Sequence, residues 1–546
     1  MKLPKFSRRS PDWLVAIVCL VLAYGLMQHT FKVHAQTWYI ASKLWSDFAA
    51  HLPLIRSFSL GDNWPIEYPT FPGAPIRYHF LFYAVVGYLE KLGFPLALSL
   101  NLFSAVGLAL LLFIIYRYAR LIFGPIQAGL LALVLFLFNG SLSFLEFFKT
   151  YPLDRHFLTA LVTNSRFVSF GPWDGKIVAA FWNLNIYTNQ RHLGLSFGLS
   201  LLLLFPLFKR LYHRFTPTPA VTLALFLGMF CLPWLNQAAA VITLWFLGFL
   251  FLFNFKVLKP LLIPAALMIL ASLPGLLYYL ALNGPSVTVT PGFLSASPDL
   301  LSLIRYWFFN LGLYLILLPL LFVWLDRRGR SVLLAAAGLL LLANLVQLSP
   351  DMINNHKLVN FFMLFMVVYT SGWLLALWRR WPRFRWGLIG LTGCLALSGV
   401  IDFFPIINDY YLPVADVGQN PVARWIAQST PKDSVFLTTT YLYNPASLAG
   451  RKTYLDYGYF NWSLGYPDPA RRQNLPLILS PSARSVLICR LLEAQSIDYI
   501  LITPGRGDLG NLDPHQSTLV REFQPVLTAA DGSQVYSTQA NCLLYD

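Results

Sequence analysis

A series of apolar runs, each long enough to cross a bilayer, constrains this chain more than any other feature. A helix needs about 20 mainly apolar residues to traverse roughly 30 Å of hydrocarbon. Eleven runs qualify: 12–30, 96–118, 124–142, 192–210, 218–234, 237–255, 259–282, 300–325, 331–349, 358–378 and 386–404. Read as one helix, Ala220 to Phe253 would be about 50 Å long, too long for a bilayer. Pro233, Trp234, Asn236 and Gln237 supply a turn, so the stretch is read as two spans. Charged residues are only 12% of the chain, against about 25% in soluble proteins. The expected class is an α-helical polytopic membrane protein.

The formal charge of +16 is not gathered into one patch, which argues against a nucleic-acid partner. Basic residues recur in short clusters: Lys2, Lys5, Arg8 and Arg9; Arg117 and Arg120; Lys209, Arg210 and Arg214; Lys256 and Lys259; Arg327, Arg328 and Arg330; Arg379, Arg380, Arg383 and Arg385. If every run crosses once, all fall on one side. The turn near 235 and the loop 284–299, on the other side, contain no Lys or Arg. By the positive-inside rule the N-terminus is then cytoplasmic and the C-terminus extracytoplasmic. No small-x-small cleavage site follows the run from Trp13 to Met27, which reads as an uncleaved first helix.

This threading places residues 31–95, 143–191, 283–299 and 405–546 outside. It divides the chain into a membrane domain, 1–404, and an extracytoplasmic α/β domain, 405–546. In the latter, 421–427 and 483–495 read as helices, and 434–437 and 499–502 as strands. Cys489 and Cys542 lie where a disulfide is permitted. Cys19, Cys231 and Cys394 fall in apolar runs and read as inert core residues.

The loop 31–95 is too long for a connector and too rich in ionisable groups to face lipid. It carries Asp47, His51, Asp62, Glu67, Arg77 and His79. Tyr78 to Leu92 is apolar and reads as an interfacial amphipathic helix. Elsewhere, Glu146 lies among aromatics at the outer end of the third run. Asp174 sits in a Pro-Trp-Asp-Gly turn. Arg191 and His192, Arg305, and His356 with Lys357 sit where outer loops meet helices.

The order of a basic N-terminus, one helix, an acidic loop, an interfacial helix and then Arg117-Tyr118-Ala119-Arg120-Leu121-Ile122-Phe123-Gly124 resembles the GT-C glycosyltransferase superfamily. That superfamily includes protein O-mannosyltransferases and aminoarabinose transferases. Residues 51–58, Ile76-Arg77-Tyr78-His79-Phe80, Asn183 to His192 and Asn354-Asn355-His356-Lys357 are similar to bacterial multi-spanning members. The resemblance implies transfer of a hexosyl or pentosyl group from a polyprenyl-phosphate donor to a glycan, lipid or protein acceptor, at a plasma (inner) membrane. An acidic residue of the first outer loop acts as base there, and Asp47 holds the matching place. Two features depart from the pattern. Phe48 stands where a second carboxylate is frequent, and Tyr78-His79-Phe80 replaces histidine-proline-proline. The sugar, and any divalent cation, stay open.

Such a transfer needs a base, cations for the departing phosphate and a path for lipid. Asp47 is the expected catalytic residue. Glu67, Arg77, His79, Glu146, Arg191, His192, Arg305, His356 and Lys357 are the expected substrate-binding set. Each has a structural alternative: Asp47 as N-cap of a helix starting at Phe48, Glu146 paired with Lys149, Asp174 holding a turn, and the cations as anchors reaching the headgroups. Tyr454-Leu455-Asp456-Tyr457-Gly458-Tyr459 resembles the tryptophan-rich aspartate-tyrosine-glycine signature of oligosaccharyltransferases without its tryptophans, and reads as an aromatic loop. No P-loop, dinucleotide fingerprint, zinc spacing or nucleophile elbow stands in its proper context. The rival classes are a transporter or flippase, which should show two related halves, and a non-catalytic scaffold acting through its tail.

Overall fold

In the computed structural model, residues 12–169, 177–283, 287–505 and 507–543 are described. The chain divides into two compact units, Met1–Thr30 with Asn101–Tyr410, and Phe31–Leu100 with Tyr411–Asp546. The first outer loop is thus grouped with the tail, and the domain boundary expected near 404 cuts a unit that begins at residue 31.

The first unit is helical. Seven of the protein's described helices are long and apolar enough to cross a membrane, or up to eight if one bent pair is a single span. The protein is a multi-pass membrane protein. The helix His356–Arg380 forms the centre: Leu358 to Gly372 are all buried, as expected of a helix apolar all round. The expected boundaries hold for most runs, including Gln237–Leu258 and Leu262–Asn283, joined by a short 3-10 turn. Two runs differ. The run 124–142 yields a helix only at Ile126–Leu137, about 18 Å long, short of the hydrocarbon thickness. It stops because Phe138 leaves helical geometry and the Asn139 Nδ2 turns to donate to the Trp182 carbonyl at 2.5 Å. The run 300–325 is broken into Leu300–Leu311 and Leu313–Trp324, bent by 94°. Gly312 makes the break at φ +56, ψ −137, a conformation that glycine alone adopts cheaply. The alternation that oriented the termini therefore loses two of its straight spans.

Close helix contact in this unit depends on small residues. A Cβ on Gly107 would lie 2.7 Å from Leu195 Cβ, and one on Gly194 2.9 Å from Leu108 Cα. The helices Leu96–Phe123 and His192–Tyr212 meet backbone to backbone there. Cys19 is buried, but Cys231 is only partly so and Cys394 is exposed: the helix Arg385–Ile407 presents much of its surface outward, with Trp386 83% exposed.

The second unit is α/β. A hairpin, Phe31–His34 and Thr37–Ala41, pairs antiparallel with Tyr411–Ala415. The helices Trp45–Ser59 and Leu81–Lys91 follow; the second lies within the stretch Tyr78 to Leu92 read as a helix. The tail builds a five-stranded mixed sheet in which Val435–Thr438 and Tyr499–Ile502 are parallel neighbours. Helices Pro421–Ser429 and Ser485–Ala494 stand where the periodicity placed them. Cys489 and Cys542 form a disulfide, Cα–Cα 5.5 Å.

Candidate active site

In the second unit, Asp47 lies in the first turn of Trp45–Ser59, whose N-cap is Leu44. It is therefore inside the helix and not its cap. The partial positive charge of that helix end favours a carboxylate. One turn on, His51 is 6% exposed. Its ring stacks on Tyr83 at 4.6 Å between centroids, and its Nε2 stands 3.4 Å from the Tyr78 hydroxyl. His79, also buried, lies against Tyr78 at 3.8 Å. Tyr443 comes from the tail: its hydroxyl donates to the Trp45 carbonyl and its ring lies 4.1 Å from Trp45. Burial first, then the Asp47 charge, pushes the phenols of Tyr78 and Tyr443 well above the ordinary tyrosine range. Burial raises Tyr83 too, with Tyr78 adding to it before Asp47 does. Three neutral phenols thus feel the charge of one carboxylate, and two imidazoles pack against Tyr78 and Tyr83. Such a setting can hold an acceptor hydroxyl and take its proton.

The other loop residues build the unit. Glu67 binds Lys452 Nζ and accepts from the Gly73 N–H, while its own N–H donates to Asn63 Oδ1 at 3.1 Å. The Arg77 N–H donates to the Tyr466 hydroxyl at 2.8 Å, and its guanidinium bonds the Gly465 carbonyl and lies 5.0 Å from the Tyr466 ring. Asp62 is exposed. Asp456 is buried, and burial pushes its carboxyl up to about 7 against the opposing Tyr457 N–H.

In the first unit, Arg191 is 1% exposed, and its donors reach Thr188 O, Met27 O, Thr30 Oγ1 and Asn101 Oδ1. This guanidinium braces three helices. His192 is fully buried. His356 Nδ1 stands 3.0 Å from Asn360 Nδ2, and the Asn360 carbonyl oxygen accepts from Tyr187 at 3.2 Å. Lys357 donates to Asn354 Oδ1 at 3.2 Å. Arg305 is exposed on the helix before the Gly312 break. Glu146 pairs with Lys149 at 2.7 Å on an exposed turn, the structural alternative named for it. Asp174 lies outside the described residues. Among the described residues no group of three His, Cys, Asp or Glu side chains converges as a metal site would.

Sequence reasoning left His51 and Tyr83 out of the site set, although His51 follows Asp47 by four residues, the helical repeat. Tyr443 gave no local signal, being 396 residues from Asp47 by number. Asp402 was missed too. It is 3% exposed, and it accepts from Ser169 and, at 2.8 Å, from Asn183.

No protein-family description matches this chain, and no curated protein matches it either. Solved structures do. The chain is similar to the archaeal oligosaccharyltransferase AglB from Archaeoglobus fulgidus in complex with an inhibitory peptide and a dolichol-phosphate. That match has 13% identity and a TM-score of 0.41, covering 91% of this chain and 70% of the other. It is also similar to ArnT from Cupriavidus metallidurans bound to undecaprenyl phosphate, with 12% identity, a TM-score of 0.48, and coverage of 97% and 98%. For ArnT in the apo state the identity is 12%, the TM-score 0.49 and the coverage 96% and 97%.

Proposed function

We propose that the protein is an integral membrane glycosyltransferase that moves a sugar from a polyprenyl-phosphate-linked donor to an acceptor hydroxyl on the extracytoplasmic face. The observation that supports this most is the setting of Asp47: a helix-start carboxylate, partly buried, whose charge reaches three neutral phenols and which lies one helical turn from His51. Asp47 takes the proton of the acceptor hydroxyl, whose oxygen attacks the anomeric carbon opposite the phosphate. The C–O bond to the phosphate breaks, its electron pair leaves on the lipid phosphate, and the anomeric configuration inverts. Arg191, held by four partners, is assigned a bracing role. The test is Asp47→Asn in membranes supplied with labelled lipid-linked sugar. Transfer falling by two to four orders of magnitude is expected for loss of a positioned base, and unchanged transfer removes Asp47 from the mechanism.

A second reading, a flippase for a lipid-linked substrate, draws on the 94° break at Gly312, because broken helices line transporter sites. Under it, Asp47→Asn leaves chemistry untouched, and substitutions around Gly312 abolish movement of labelled lipid between leaflets.

A further inference from the structure

The helices Pro219–Leu235 and Leu262–Asn283 run side by side and approach closely toward their far ends. A Cβ on Gly275 would come 2.7 Å from Pro233 Cβ. At their beginnings they part around a groove of about 550 Å³, within the usual range for small-ligand sites, about 300–1,000 Å³. Its walls include Thr216, Pro219, Leu223, Phe226, Ile263 and Leu267. Pro217, Pro219, Pro260 and Pro264 stand at these two beginnings, where each ring fixes φ and removes a donor, so the walls offer little to water.

Cations lie close in sequence to the walls of this apolar groove. Lys259 precedes the wall residue Pro260, and Arg214 stands two residues before Thr216. Both are exposed, as is Lys256 on the adjoining helix end. The loop that carries Arg214 is tied down: Arg210 Nε donates to the Val257 carbonyl at 3.0 Å, and Lys209 Nζ lies 4.5 Å over the Phe215 ring. No acidic residue occurs between Asp174 and Asp299, so no carboxylate from this stretch of chain neutralises the three. A bare set of cations at a helix end could serve membrane topology alone. An open apolar groove at the same helix beginnings is not needed for that.

We propose that this groove seats an anionic phospholipid of the surrounding bilayer, an acyl chain between the two helices and the phosphate among Arg214, Lys256 and Lys259. Basic pockets between membrane helices recognise headgroup phosphate in this way. The site is built from the first unit's residues alone and does not depend on the transfer reaction.

The test uses the full chain purified in detergent and titrated with phosphatidylglycerol or phosphatidylcholine, with retention read by native mass spectrometry. Wild type is expected to retain one phosphatidylglycerol in preference to phosphatidylcholine. Each cation contributes roughly fivefold, so the combined Arg214→Gln, Lys256→Gln, Lys259→Gln variant should weaken retention on the order of a hundredfold. Leu223→Trp, which fills the slot and leaves the charges, should weaken it as well. Lys259→Gln alone, the mildest change, should show its own roughly fivefold loss, so the proposal remains exposed if a heavier variant does not fold. Equal retention of the two lipids overturns the proposal. So does loss with the charge variant alone while Leu223→Trp is unaffected, which would mean surface attraction without a seat. Preferential retention of polyprenyl phosphate over phosphatidylglycerol overturns the choice of occupant.

Discussion

Replacing Arg451 by methionine should destabilise the second unit by about 4 kcal/mol. The side chain is 2% exposed. Its Nε donates to Thr430 Oγ1 at 2.9 Å; Nη1 reaches Leu60 O at 3.1 Å and Ala449 O at 3.0 Å. Nη2 reaches the carbonyls of Ile426, Ala427 and Thr430 at 3.3, 3.0 and 2.9 Å. These carbonyls end the helix Pro421–Ser429, close the turn before Lys452 and belong to the residue after Ser59. One guanidinium therefore ties the first loop to the tail. Methionine keeps most of the stem's volume but supplies no donor. Five carbonyls, three in buried and two in partly buried bonds, then lose a partner at roughly 1 kcal/mol each, reduced somewhat because no charge need be buried. A change of that size should lower Tm by about 10 °C for a unit of this length. Thermal melts of the purified full chain, read by protease cleavage of the tail, measure it, with Arg484→Met on the exposed surface as control. A drop below about 3 °C, or one equal to the control's, would refute the reasoning.

Breaking the Cys489–Cys542 bridge with two serines, which frees a loop of sequence separation 53, should cost about 4 kcal/mol, and reductant should lower wild-type Tm comparably. Asp456 gives a pH dependence of definite sign. Its folded carboxyl titrates near 7, above the unfolded value of about 3.9, so the folded state holds the proton longer. Stability is therefore greatest below about pH 4 and falls by at most about 4 kcal/mol as pH rises to 7; Asp456→Asn should melt like wild type at pH 4 and higher at pH 8. Gly194→Leu, pressed against the Leu108 backbone, should abolish stable membrane insertion or lower Tm by well over 5 °C in detergent melts, whereas Gly390→Leu, with open space around it, should change little. Reporter fusions after Lys5 and after residue 420 should place the first inside and the second outside; the reverse, or both on one side, would remove the orientation read from the basic clusters.

Apolar periodicity made the helices legible, and the tail strands Val435–Thr438 and Tyr499–Ile502 stood out because β-branched and aromatic residues lie between polar turns. Hydropathy alone could not show that the third run ends at Leu137. That end depends on Asn139 finding the Trp182 carbonyl, 43 positions away. Nor could it show the bend at Gly312, since flanking leucines read the same whether a helix continues or turns. The grouping of residues 31–100 with 411–546 rests on long-range partners such as Arg451 with Leu60, and Arg56 with Asp416 at 2.6 Å. No local pattern encodes those. Around Asp47, the helical spacing to His51 was visible in the chain; the tyrosine from position 443 became visible only on folding. Arg191 shows the opposite case. An arginine at a loop–helix junction suggested phosphate, and four protein acceptors already hold it.

The most direct measurement is single-turnover release of labelled polyprenyl phosphate from a lipid-linked sugar by membranes containing wild type, Asp47→Asn, His51→Gln or Asp62→Asn. Asp47→Asn should be at least a hundredfold slower, His51→Gln should be slowed with a shifted pH profile, and exposed Asp62 should be dispensable. Equal rates for wild type and Asp47→Asn, with both proteins folded, would contradict a glycosyl transfer driven by this carboxylate.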